Sequence, residues 1–330
     1  MVVSFGSFSR NIYLCKKYHH MNNIKIAAIL TVFNRRQKTL SCLQHLFAAV
    51  QAYNSSDDRK GSMAVVVYLT DDGSSDGTAD AIGKTFPTQD IHILHGTGNL
   101  FWAGGMRLAW QEAIDSGIAW DYYLLLNNDT YVYDNLFMEL FAADEYGMQQ
   151  KCRHGISSGI VCEIKDKGHI IYGGFNFANR TKGRHEVVKP TGRPQQVDLV
   201  SGNILLVHKT VVDTIGIFYN GFHHDLADHD YNMTALRHDI PVAVTPDVCG
   251  ECEFDHDTDS QDAKRLVSMT LSERKKYLNT PTRSDHDYLL LIRRQLPMRY
   301  PMTLLLRNVR LYWPSLYYHI TRLRGVYKDN

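Results

Sequence analysis

Four apolar runs alternate with helical segments between residues 24 and 129, and this alternation limits the fold more than any other feature of the sequence. "IKIAAILTVF" (Ile24 to Phe33), "MAVVVYLTDD" (Met63 to Asp72), "DIHILHG" (Asp90 to Gly96) and "DYYLLLNND" read as strands. The continuous apolar character of the first two predicts strands covered on both faces. "TLSCLQHLFAAVQAY", "GSSDGTADAIGKTF" and "GGMRLAWQEAIDSG" read as the intervening turns and helices, the last closed by glycine. The β-α-β-α-β-α-β order predicts an α/β fold with a parallel sheet and right-handed crossovers. Ligands of such sheets bind at the carboxyl ends of the strands. Polar residues stand there: Thr31 and Asn34, Asp71 and Asp72, Asn99, and Asn127 to Asp129.

Beyond this region "GHIIYGGFNF" and "QVDLVSGNILLVHK" read as strands. "DHDYNMTALRHD" reads as a short helix and "IPVAVTPDV" as another strand. After about Asp259 apolar, aromatic and arginine residues mix, and Pro297, Pro301 and Pro314 divide the segment into short helices. The expected organisation is an extension over 1–22, with Met21 a candidate start of the ordered chain, a main domain over 23–262 and a helical region over 263–330.

The 330 residues, 44% of them hydrophobic, can bury a large core, and a formal charge of +1 argues against a polyanion binder such as a nucleic-acid protein. Six irregularly spaced cysteines do not suggest a disulfide scaffold and fit reduced thiols in a cytosolic protein. No apolar run is long enough to span a bilayer, and the first twenty residues lack a signal-peptide pattern. The expected location is cytoplasmic, with the inner face of the cell membrane as an alternative.

Five constellations carry chemistry. In "LTDDGSSDGT" a strand-end carboxylate suits a pyrimidine imide or ribose hydroxyls, while Asp76 and Thr78 suit a turn and helix start. In "LLLNNDT" the single carboxylate of Asp129 suits Mg²⁺ or Mn²⁺, ions that keep waters and take further ligands from substrate phosphates. An Asn-Asp turn ending a strand is the plainer alternative. His223, His224, Asp225, Asp228, His229 and Asp230 crowd the start of a helix; they fit a metal site, a helix cap or a general base. Cys249 and Cys252 form a single C-x-x-C with Asp255 and His256 nearby; two partly buried thiols are expected rather than zinc, because a second ligand pair is missing. The arginines and aromatics after residue 290 suit either helices packed on the domain or contact with an anionic membrane surface.

"ILTVFNR", "LTDDGSSDGT", "GNLFWAGGMRLA", "LLLNNDT", "VSGNILLVHK" and "DLADHDYNMTAL" occur in that order between about Ile24 and Asp247. Together they resemble the family-2 glycosyltransferases of GT-A fold, in particular the rhamnosyltransferase-like branch that builds surface polysaccharides. The resemblance implies a mixed, mainly parallel sheet flanked by helices with a C-terminal helical appendage. It implies inverting transfer of a sugar, rhamnose among the candidates, from a dTDP- or UDP-linked donor to a hydroxyl of a glycan or lipid-linked acceptor. Thr31 and Phe33 would line the base pocket, Asp72 would bind the pyrimidine and Asp71 would support it. Asn99 and Arg107 would pass near the nucleotide. Asn127 and Asp129 fill the first and last places of the metal motif D-x-D, Asp129 holding the ion. Gly202 would let substrate approach the backbone, and Asp228 matches the general base, with Asp230 and Asp225 as alternatives.

Two positions depart from the pattern. Asn127 replaces an acid, and Ala227 stands where the base motif carries Glu. Both favour a competing expectation, a sugar-nucleotide-binding or scaffold protein of a polysaccharide-assembly complex. A nucleotidyltransferase fits less well: Arg35, Arg36 and Lys38 follow the first strand without a glycine-rich loop.

Overall fold

The structure, a computed structural model, describes residues 23–179, 184–254, 259–283 and 285–323. The expectations for 1–22, Met21, Asp255 and His256 lie outside the described residues.

The chain opens with β1 (Asn23–Val32), α1 (Arg36–Ser55), β2 (Ser62–Asp71), α2 (Thr78–Thr85), β3 (Ile91–His95), α3 (Phe101–Asp115) and β4 (Tyr122–Leu126). β1 pairs in parallel with both β2 and β4, and β2 with β3. The alternation expected from the sequence is therefore present. β1 shows why: Ile24, Ile26, Ala28 and Leu30 face one core with Leu43 and Leu46 of α1. Ala27 and Ile29 face a second core with Met106, Ala109 and Trp110 of α3. A strand buried on both faces needs apolar residues at every position, since successive side chains point to opposite sides.

The sheet continues through β5 (Tyr131–Val132), β6 (Ile156–Glu163), β7 (Ile170–Tyr172), β10 (Gln195–Gln196), β12 (Ile204–His208) and β13 (Val242–Cys252). Its order is β10-β13-β6-β12-β4-β1-β2-β3. β12 runs antiparallel between β4 and β6, whereas β13 is parallel to β6. A mixed, mainly parallel sheet flanked by helices results. A separate small sheet joins β8 (Gly174–Asn179), β9 (Arg184–Val187) and β11 (Leu199–Val200). The stretch "QVDLVSGNILLVHK", expected as one strand, is divided among β10, β11 and β12. The Ser201–Asn203 turn interrupts it, and Val197 and Asp198 form bonds to different sheets.

The remaining helices are α4 (Leu136–Lys151), α5 (Lys209–Ile215), α6 (Ala227–Arg237), α7 (Asp259–Ser268), α8 (Leu271–Leu278), α9 (Asp285–Gln295), α10 (Tyr300–Tyr312) and α11 (Pro314–Leu323). Proline punctuation acts as expected: Pro297 follows the end of α9, Pro301 sits in the first turn of α10, and Pro314 opens α11. α9 is bound to the main body. Leu291 joins the second core. The Asp230 carboxylate of α6 accepts Arg294 Nε at 2.9 Å and Gln295 Nε2 at 2.6 Å. Leu266, Leu278 and Leu311 form a small cluster that holds α7, α8 and α10 together.

Candidate active site

The site lies along the carboxyl ends of β1, β2 and β4. Three non-glycine residues there take left-handed backbone conformations: Asn34 at φ 50°, Phe101 at φ 55° and Leu226 at φ 64°. Such conformations are uncommon and gather at functional sites. Asn34 ties the β1 end to the β2 loop: its N–H donates to Ser74 Oγ at 2.9 Å and its Oδ1 accepts the Ser75 N–H at 2.8 Å.

Asp72 is buried, and three backbone N–H groups occupy it: Gly98 at 2.8 Å, Leu100 at 2.8 Å and Phe101 at 3.0 Å. It anchors the loop into α3, at the helix end where backbone donors lack partners. Asp71 is buried with one oxygen on the Ser74 N–H at 2.8 Å, and it lines a cleft of about 270 Å³ with Gly73, Thr78 and His95. Asp71 borders open space, while Asp72 holds structure.

Phe101 and Trp102 follow directly. Trp102 Nε1 donates to Asn127 Oδ1 at 2.7 Å. Its ring also lies over Gly202, where a Cβ would come within 2.7 Å of the indole carbons. Glycine is needed because the ring touches the backbone. The Gly202 N–H donates to Asp228 Oδ2 at 2.6 Å, and Asp228 Oδ1 accepts the His229 N–H at 2.8 Å. Asp228 sits in the first turn of α6. One continuous set of hydrogen bonds and contacts thus runs from Asp72 through Trp102 to Asn127, Gly202 and Asp228.

Asp129, two residues past Asn127, retains 21% side-chain exposure and pairs with Arg35. Arg35 pairs with Asp129 and Lys38 with Glu253, whereas Arg36 donates its backbone N–H to the Asp76 carboxylate at 2.9 Å and its guanidinium to the Asp76 carbonyl at 3.2 Å. A single accessible carboxylate suits Mg²⁺ or Mn²⁺, which complete their shells with water and phosphate oxygens. Such an ion would have to displace Arg35, and Asn127 Oδ1 is already held by Trp102.

Several expected residues lie elsewhere or serve otherwise. The Thr31 hydroxyl donates to the Thr70 carbonyl at 3.3 Å and packs beneath Gly105 of α3. Arg107 donates to the carbonyls of Tyr219 at 3.2 Å and Phe222 at 2.8 Å, and burial draws its proton affinity down. Phe33 and Asn99 are exposed on the rim. Asp230 is buried against Arg294 and Gln295, which removes it as a base. Asp225 is exposed, with His224 at 3.8 Å. Among the three candidates, Asp228 is the carboxylate joined to the strand ends. Cys249 and Cys252 are buried, and burial pushes both thiols up to about 12.

Sequence spacing gave no sign of Asp287. This α9 residue is buried and accepts the backbone N–H groups of His223, His224 and Asp225, the last two at 2.9 and 3.1 Å. His223 and His286 flank it, with candidate ligand atoms of the three within 4.8 Å of one another. The amide donors on Asp287 make it a loop anchor. Trp102 stood inside a quoted motif, but only its contacts disclose its place between Asn127 and Gly202.

No family model matches the chain, and no curated protein matches it in sequence. Among solved structures, the mannosyltransferase PcManGT from Pyrobaculum calidifontis, in complex with GDP-Man and Mn²⁺, is similar at 12% identity and TM-score 0.48 over 97% of this chain and 87% of that one. S. aureus TarS (1–349) is similar at 12% identity and TM-score 0.47, over 84% and 72% of the two chains. TarS in complex with UDP-GlcNAc gives 13% identity and TM-score 0.46 over 82% and 71%.

Proposed function

We propose that the chain is a GT-A glycosyltransferase that moves a sugar from a nucleoside diphosphate donor to an acceptor hydroxyl, with inversion. The observation that carries this reading is the linkage of Asp72, Asn127, Gly202 and Asp228 through Trp102 on one rim, with Asp129 beside it. Asp71 and the cleft it lines receive the nucleobase, in place of the Asp72 contact implied by family resemblance. Asp129, once released from Arg35, would hold Mg²⁺ or Mn²⁺. When bound, that ion would offset the charge that develops on the departing nucleoside diphosphate.

Asp228 takes the proton of the acceptor hydroxyl. The acceptor oxygen forms its bond to the anomeric carbon as the bond to phosphate breaks, and the diphosphate leaves with the electron pair. The N–H groups of Gly202 and His229 fix the Asp228 carboxylate for that transfer. The donor is a dTDP- or UDP-linked sugar, rhamnose among the candidates, and the acceptor is a glycan or lipid-linked hydroxyl of a surface polysaccharide. The setting is cytoplasmic.

Thermal stabilisation by a panel of nucleotide sugars with and without Mn²⁺ tests the donor site, because a ligand of the folded state raises apparent stability. No shift with any nucleotide sugar would overturn the reading. A second reading, a sugar-nucleotide-binding scaffold without turnover, is favoured by the engagement of Asn127 with Trp102 and by the buried Ala227 at the base motif. Release of free nucleotide from a stabilising donor by the wild type, and its loss in Asp228→Asn, separates the two.

A further inference from the structure

We propose that α10 and α11 dock on an anionic lipid surface. These helices and the turn before them expose several large apolar side chains alongside the polar Ser315, His319 and Arg322. Met298 is 93% exposed and Trp313 61%, and Met302, Leu305, Tyr312 and Leu316 are exposed with them. Met302 and Leu305 follow Met298 at steps of four and three residues and form one stripe at the start of α10, and Tyr312, Trp313 and Leu316 stand together where α10 gives way to α11. The inward side of α10 is already packed through Leu311, whose carbonyl accepts Arg274 Nε at 2.8 Å. The stripe is therefore what the fold leaves uncovered. Contiguous apolar exposure on this scale marks an interaction surface.

Charge selects the occupant. From Tyr288 to residue 323 the sequence holds six arginines and no Asp or Glu. Arg307 and Arg310 turn inward to Asp285, and Arg294 to Asp230. Among the described residues, Arg293 and Arg299 make no ion pair, and Arg299 lies within one turn of Met298 and Met302. A second copy of the same face would bring arginines against arginines. Residues 1–22 of the chain are also basic, with Arg10, Lys16 and Lys17 and no acid. An anionic bilayer offers what both lack: negative charge at the surface and an apolar layer just below it for Met, Leu and Trp side chains. Contact is at the surface, since no described helix is long and apolar enough to cross a membrane.

Sedimentation of the full chain with vesicles, without nucleotide, tests this apart from any transfer activity. The chain is expected to bind phosphatidylcholine vesicles that contain phosphatidylglycerol, to bind phosphatidylcholine alone far less, and to be released by salt. Arg293→Gln with Arg299→Gln should weaken binding by about 30-fold, at about 1 kcal/mol for each arginine near the surface. Met302→Gln with Trp313→Gln should weaken it with no change in thermal midpoint, because both side chains face solvent. Equal binding to neutral and anionic vesicles would overturn the proposal. So would no binding to either, including the case where the chain forms a dimer that Trp313→Gln dissolves.

Discussion

The carboxylate of Asp287 accepts the backbone N–H of His224 at 2.9 Å, across 63 positions of sequence. A helix of the C-terminal region thereby sets the loop that leads into Asp228. Asp287→Ala leaves the amides of residues 223–225 without their acceptor, at a cost of about 1–3 kcal/mol for each buried group left unpaired. We expect a lower unfolding midpoint, reduced turnover and faster hydrogen exchange at these three amides. Unchanged exchange would refute the anchoring role.

Asp228 and Asp230 share a helix turn but not an environment. Asp228→Asn should lower turnover by about 10²–10⁴-fold and leave donor affinity nearly unchanged. Asp230→Asn should act the other way, costing stability through Arg294 and Gln295 while turnover per folded molecule holds. Denaturant unfolding and single-turnover kinetics on both variants check the assignment, and full turnover in Asp228→Asn would reject it.

A methyl group at residue 202 collides with Trp102. Gly202→Ala should destabilise by about 1–3 kcal/mol, as overpacking does, and should impair turnover by displacing Asp228. In a Trp102→Ala background the same change should cost far less, because the colliding ring is gone. A double-mutant cycle measures that coupling, and additive costs would show that the ring is not the obstacle.

Arg35 competes with a cation for Asp129. Half-exposed ion pairs are worth up to about 1 kcal/mol, so Arg35→Gln should tighten Mn²⁺ binding by about fivefold at most. Asp129→Ala should abolish it. Calorimetric titration with Mn²⁺ and a nucleoside diphosphate gives both readings, and equal affinities in all three proteins would remove Asp129 as the ligand.

His208 is held neutral: burial, and then the neighbouring His154 ring stacked at 3.9 Å, pull its pKa to about 3. Asp144 and Tyr122 also face it, and Asp144 opposes the shift. The ordinary value is about 6.5, so the unfolded chain binds the proton first as pH falls. Stability is full above about 6.5 and declines toward pH 3, at up to about 1.4 kcal/mol per pH unit from this residue. His208→Gln should flatten the dependence of the urea midpoint between pH 7 and pH 5, and an unaltered slope would contradict the assignment.

The βα alternation to Asp129 was legible in the sequence because burial on two faces leaves an unbroken apolar run, and strand ends show where that run stops. The proline positions likewise foretold the breaks among α9, α10 and α11. The division of residues 195–208 into three strands was not legible, because a Ser-Gly-Asn turn inside an apolar stretch leaves the local pattern almost unchanged. The site was legible by position but not by role. Spacing placed Asp71, Asp72, Asn127 and Asp129 at strand ends and Asp228 at a helix start, but it does not say which oxygens are already taken by backbone N–H groups. That depended on chain crossings: Leu100 and Phe101 returning to Asp72, Trp102 reaching Asn127 and Gly202, and α9 folding back to bring Asp287 under His224. Hydrogen-bond saturation is a property of neighbours in space, and Asp287 and His224, joined by such a bond, stand 63 positions apart along the chain.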